Sequence, residues 1–230
     1  MKKAFKIMAV AAIMVFATSS SLMAQFKFGV KASGNLSNIY MEDTTTTTMK
    51  PGFNVGVMGE YFLNDNMSIG AELLYSMQGA QEKHEGEEFG VKWSTKSAIT
   101  THNINLPILF RFYFGGLAVE VGPQVGFCLG GNYKNTHTVG DKDEESSQSF
   151  SDAEEDVRKV FSDYKLYNRF SVGGAIGLSY NLPNGLFFGA RYTHDFTDLF
   201  NKVAIDGSNF KNEAIKSRNG VISVSVGFKF

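Results

Sequence analysis

The residues best able to do chemistry fall into three groups. There are four histidines, a run of carboxylates, and single charges scattered among small and apolar residues. His194 is followed by Asp195, a pair that invites comparison with hydrolytic dyads at a barrel rim. Adjacent residues of an extended strand point to opposite faces, however, and no nucleophile can be matched to the pair. Catalysis is therefore not expected, and neither is a cofactor. His102 falls near a strand end, facing outward like His194, while His84 and His137 fall in polar segments. Eight carboxylates crowd one stretch: Asp141, Asp143, Glu144, Glu145, Asp152, Glu154, Glu155 and Asp156. Asp141, Asp143 and Glu145 have the spacing of a calcium loop's start, but Ser146 stands where such a loop needs glycine. A solvated charge run is the expectation there, with no metal. Ser151-x-x-Glu154 is a capping-box pattern that predicts a short helix through Phe161. Thr44 to Thr48 reads as a flexible linker, although Asp43-Thr44-Thr45 resembles an O-glycosylation acceptor. Cys128 is the one cysteine, so no disulfide can form within the chain, and none lies near the N-terminus to carry a lipid. A net charge of −1 gives no footprint for nucleic acid.

The scattered charges make sense only once the elements that carry them are drawn. The chain has 24 glycines, 21 phenylalanines and only 4 prolines, and its dominant period is two. Ile222, Val224, Val226, Phe228 and Phe230 alternate with Ser223, Ser225, Gly227 and Lys229. The same pattern starts at Phe26, Phe53, Met67, Asn103, Leu117, Phe170 and Leu186, which predicts eight strands of about 9–14 residues. A tilted strand needs about 9–11 residues to cross hydrocarbon. Asn64-Asp65-Asn66, Gly115-Gly116 and Leu182-Pro183-Asn184-Gly185 are short turns. The other connections, near 35–52, 79–98, 131–166 and 197–219, are long and polar. Short turns on one rim and long loops on the other predict an all-β, eight-stranded antiparallel transmembrane barrel, with periplasmic turns and extracellular loops.

The N-terminus agrees with export. Met1 to Lys6 is basic and Ile7 to Ala17 is apolar. With Thr18 to Ser21 polar, Leu22 and Met23 apolar and the small Ala24 at the end, this is a signal-peptide pattern. About eleven apolar residues are too few for a membrane helix. Cleavage is expected after Ala24, leaving residues 25–230 as the barrel domain. The main alternative is a soluble lipocalin-type barrel, with its apolar face inside. It fails on size: the polar face here is mostly Gly, Ser and Ala, which suits a crowded interior, while the apolar face carries the large residues. Aromatics also gather at strand ends, with Phe26, Tyr61, Phe112, Tyr180, Phe188 and Phe230 on the turn side. Phe53, Tyr75, Phe127, Phe170 and Phe196 lie on the loop side, forming a second interfacial girdle.

By parity Lys27, Lys31, Glu60, Glu72, Arg111, Glu120, Arg191 and Lys229 face the lumen. The Gly115-Gly116 hairpin pairs Phe114 with Leu117 and so sets Arg111 opposite Glu120. Unpaired charges would be costly in a narrow interior. Lys31, Glu60, Glu72, Arg111, Glu120 and Arg191 are thus expected to form an ion-pair network filling the barrel. A proton or ion relay is the rival use for the same groups.

Asn105-Leu106-Pro107-Ile108-Leu109-Phe110-Arg111-Phe112-Tyr113-Phe114, then Val119 to Gly126, resembles the PorT-like "outer membrane protein beta-barrel domain", or porin family. Gly189-Ala190-Arg191-Tyr192 and the closing Val224 to Phe230 share the resemblance. It covers nearly the whole chain after the signal peptide and implies an integral outer-membrane location. PorT itself serves a secretion and gliding system. Phe230 also resembles the C-terminal aromatic read by barrel-assembly machinery, which would be a partner together with outer-membrane lipids. The favoured expectation is a closed scaffold whose loops meet an extracellular or envelope protein. A narrow porin-like pore and a secretion-system component are the alternatives.

Overall fold

The computed structural model describes residues 25–41, 48–88, 91–139, 142–152, 155, 167–199 and 217–230. The signal-peptide reading, the Asp43-Thr44-Thr45 acceptor and the far end of the predicted helix therefore lie outside the described residues. Nine strands are described: β1 (Phe26–Met41), β2 (Thr48–Asn64), β3 (Met67–Glu88), β4 (Val91–Phe114), β5 (Leu117–Val139), β6 (Lys142–Ser149), β7 (Phe170–Asn181), β8 (Leu186–Asp195) and β9 (Ser217–Lys229). Eight of them close a ring in the order β1-β2-β3-β4-β5-β7-β8-β9, with β9 returning to β1. Every pairing is antiparallel. Among the described residues no helix is long and apolar enough to cross a membrane.

The alternation of residue size decides which face goes where. Val224 is 67% exposed on the outside of the ring, whereas Glu60 is 0% exposed inside it. Val57, Leu73, Ile176 and Leu178 share the outer face with Val224, and Ser68, Ser76, Glu72 and Arg111 share the interior. That inversion of a soluble protein's surface is stable only where hydrocarbon replaces water around the outside. Antiparallel pairing in a closed ring also leaves no unpaired backbone edge within the apolar band.

The strands run further than the alternation predicts. β3 and β4 have 22 and 24 residues, about twice the 9–11 needed to cross hydrocarbon. Most of the segment read as the loop 79–98 is a continuous hairpin, paired from Gly79↔Thr100 to Glu88↔Val91. β5 continues beside it to Trp93↔Val139, and β6 adds a fourth strand through Val139↔Lys142. A four-stranded sheet thus projects from the loop-side rim.

Irregularities at one level mark where this sheet leaves the ring. The register shifts between Met49 and Phe53 on β2 and between His102 and Asn103 on β4. Gly79 on β3 and Gly130 on β5 have φ of 153° and 157°. A Cβ at Gly79 would lie 1.9 Å from the Ile99 carbonyl oxygen, so only glycine lets β3 bend here.

Candidate functional site

The lumen is built in tiers, and the charged tier lies mid-barrel. Arg191 on β8 donates from Nη1 and Nη2 to the Glu72 carboxylate at 2.7 and 2.8 Å. Its Nε donates to Glu120 at 2.7 Å. Arg111 on β4 donates from Nη2 to Glu72 at 2.6 Å and from Nε to Glu120 at 3.1 Å. Lys31 on β1 reaches Glu72 at 3.4 Å. The hairpin register that pairs Phe114 with Leu117 also pairs Arg111 with Glu120. β3 and β8 stand four places apart in the ring in either direction, so the Arg191–Glu72 bonds span the lumen along its diameter.

A second tier lies nearer the turns. Glu60 accepts from Ser68, from Tyr113 and, at 2.8 Å, from Lys229. Its approach to Arg111 is longer, 3.8 Å. Lys229 also donates to the Tyr113 hydroxyl at 3.0 Å and to Asn181 at 2.8 Å. Lys229 on β9 and Tyr113 on β4 again come from opposite strands. Below this tier a vestibule of about 470 Å³ opens at the turn side, lined in part by Lys27, Phe62 and Leu182. Lys27 is exposed there, its ammonium 4.9 Å over the Phe62 ring.

A third tier, toward the loops, is neutral. Asn35 donates to Asn54 at 2.6 Å, Ser76 to Asn54 at 2.5 Å, and Gln78 to Ser76 at 2.7 Å. Asn219 donates across to Gln78 at 2.5 Å. Charge-seeking missed this tier. Its signal was nevertheless present, because Asn54, Ser76, Gln78 and Asn103 all sit at inward positions of the alternation. Above it, Phe150 and Tyr167 pack on Cys128 and Ile99, with the two rings 5.1 Å apart.

The other sequence candidates fall elsewhere. His84 and His137 lie on the projecting β3 and β5, against Glu82 and Thr95. Asp143 and Glu145 lie on extended β6, and Glu145 pairs with Lys134 at 2.9 Å, while Asp141 lies outside the described residues. Helix begins at Phe150 and is capped by Ser149, whose hydroxyl accepts the Asp152 N–H at 3.2 Å. The cap therefore precedes the Ser151 pattern by two residues. His194 stacks on Tyr192 outside the ring, while Asp195 lines a small cavity inside it with Cys128 and Asn103, so the two do not form a dyad.

A closed ring of eight tilted strands, apolar outside and ion-paired within, defines an integral β-barrel of the outer membrane. The chain belongs to the family described as "Outer membrane protein beta-barrel domain", whose model matches residues 16–201. Comparison with curated proteins gave no match. Among solved structures, the chain is similar to Ail, the attachment invasion locus protein of Yersinia pestis, at 14% identity and a TM-score of 0.38. That match covers 90% of this chain and 99% of the other. It is also similar to OprG of Pseudomonas aeruginosa, at 14% identity and a TM-score of 0.41, covering 90% and 96%. Neisserial surface protein A gives 15% identity and a TM-score of 0.39, covering 88% and 97%.

Proposed function

We propose that this chain is a closed scaffold in the outer membrane that holds the β3–β4–β5–β6 sheet at the cell surface for contact with a protein partner. The observation that supports it most is the Arg191–Glu72 bonding between opposite strands, with a further crossing tier on each side of it. An eight-stranded ring has an interior that side chains can fill, and open aqueous channels appear at about 16–18 strands. With the lumen filled, the surface that differs most from a minimal barrel is the projecting sheet. Its strands carry mostly Thr, Ser, Lys, His and acidic residues, and the β6 side chains from Glu144 to Gln148 are exposed. Rigid extensions of this kind are where binding usually resides on a scaffold. No catalytic role is assigned.

Shortening the sheet tests this reading. Replacing residues 83–96 by Asn-Gly, which keeps Glu82 opposite Ser97, should leave a barrel that still folds and shows heat-modifiable migration. Cross-linking on intact cells should then lose protein adducts that the full-length chain forms. The same adducts from both chains would remove the sheet from the proposal.

A further inference from the structure

Among the described residues, polar groups including an arginine converge beside the apolar band on the outer face of the loop-side rim, where β1, β9 and β8 meet. Tyr40 on β1 is the register partner of Arg218 on β9, and His194 on β8 is the partner of Gly220. Gly220 and Arg218 lie on the same face of β9, two residues apart. Because Gly220 has no side chain, the tyrosines lean over it: a Cβ there would lie 2.6 Å from Tyr40 Cε2 and 3.4 Å from the Tyr192 hydroxyl. The Tyr192 hydroxyl is 3.3 Å from His194 Nδ1, and the Tyr40 and His194 rings are 6.1 Å apart. Arg218 stands at the edge of this cluster with its side chain 44% exposed. Its Nε is buried without a hydrogen-bond partner among the described residues, and the facing carboxylate, Asp198, is 3.9 Å away and already accepts the Ser217 N–H at 3.0 Å.

Height on the barrel supplies the second argument. Below the cluster, Leu36 on β1 and Ile222 on β9 are exposed lipid-facing residues and are themselves register partners. Tyr40 and Arg218 lie four residues further out, or roughly 13 Å along each strand at about 3.3 Å per residue. That places the guanidinium, the imidazole and two phenols at headgroup depth of the outer leaflet, facing lipid rather than the lumen. Arginine is suited to phosphate because its planar fork can donate two parallel hydrogen bonds, and tyrosines suit an interface that is apolar on one side and wet on the other. Phe196, 6.0 Å from His194, extends the apolar side along which acyl chains would lie. A second Tyr–His pair at the rim, Tyr75 and His102, has the same stacked geometry, but its register partners are Val55, Ile104, Met77 and Gly130, with no arginine.

We propose that Tyr40, Tyr192, His194 and Arg218 bind the phosphate-bearing headgroup of an outer-leaflet glycolipid. Arg218 supplies the charge, and the phenols and imidazole supply further hydrogen bonds around it. Occupancy would fix one lipid against the β1–β9–β8 seam.

The test uses the full barrel refolded in zwitterionic micelles, with a bis-phosphorylated acylated glucosamine disaccharide as probe and its dephosphorylated form as control. Bound lipid is counted by native mass spectrometry, and folding is checked by heat-modifiable migration. One copy should bind per barrel, the dephosphorylated form at least tenfold more weakly. R218A should lose about tenfold in affinity and Y40F, which keeps the ring over Gly220, severalfold. H102Q, at the other pair, should bind as the unaltered protein does. Inorganic phosphate alone should not displace the lipid at equal concentration. Equal binding of both lipid forms, or unchanged binding by folded R218A and Y40F, would overturn the site. Displacement by inorganic phosphate would overturn its assignment to a lipid.

Discussion

Replacing Glu72 by alanine should destabilise the barrel by about 3–5 kcal/mol, the usual cost of breaking a buried ion pair from one side. Glu72 accepts from Arg191 twice, from Arg111 and from Lys31, and all four side chains are buried. The described tiers hold four cations (Lys31, Arg111, Arg191, Lys229) against three carboxylates (Glu60, Glu72, Glu120), an excess of one positive charge. Removing a carboxylate leaves four against two, whereas removing a cation leaves three against three. Acid removals should therefore cost more than cation removals. Lys31, held by one contact of 3.4 Å, should cost least of all. The Arg111→Ala and Glu120→Ala changes should each destabilise, and the double change should cost less than their sum. Denaturant titrations in lipid or detergent read all of these. Equal losses for Glu72→Ala and Lys31→Ala, or strict additivity of the Arg111 and Glu120 changes, would show that the groups do not act as a network.

Placing arginine at Val224 should cost about 2–4 kcal/mol, as charged residues do at the lipid-facing midplane of a transmembrane barrel. Val224 is exposed near the middle of the outward run Ile222, Val224, Val226 and Phe228. On a soluble protein a substitution at so open a site would stay within about 0.5 kcal/mol. The contrast separates exposure to hydrocarbon from exposure to water. Refolding into lipid vesicles under a urea gradient measures it, with Glu144→Arg on the projecting β6 as the partner change. A large loss is expected for Val224→Arg and almost none for Glu144→Arg. Equal, small losses would place both residues in water.

Particular residues show why some of this was readable from the chain and some was not. All eight ring strands follow from alternation, because hydrocarbon outside and a crowded lumen inside impose opposite demands on successive side chains. That contrast disappears above the rim. Ser94 to Ala98 and Asn132 to Thr138 are exposed or half-exposed on both faces, so they show no period of two and read as loops, although they are strands. β6, with the sequence KDEESSQS, has no apolar residue at all and reads as an acidic run. The Arg111–Glu120 register follows from a two-residue hairpin, which is local. The Arg191–Glu72 bonding depends on strand stagger around the closed ring, which no local pattern encodes. Asn54, Ser76 and Gln78 lay on the inward face of the alternation but are neutral and so carry no charge signal, while Asn35 fell in the segment 35–52 that reads as a loop. Ser149 rather than Ser151 caps the helix because β6 runs on to that residue, and its length could not be read from a strand without a hydrophobic signal.

Bonds running across the lumen should close it to ions, and single-channel recording on the pure barrel in planar bilayers reads this out. No steady current is expected beyond rare, small openings. Steady, reproducible conductance steps that change size when Arg191 or Glu72 is substituted would contradict it.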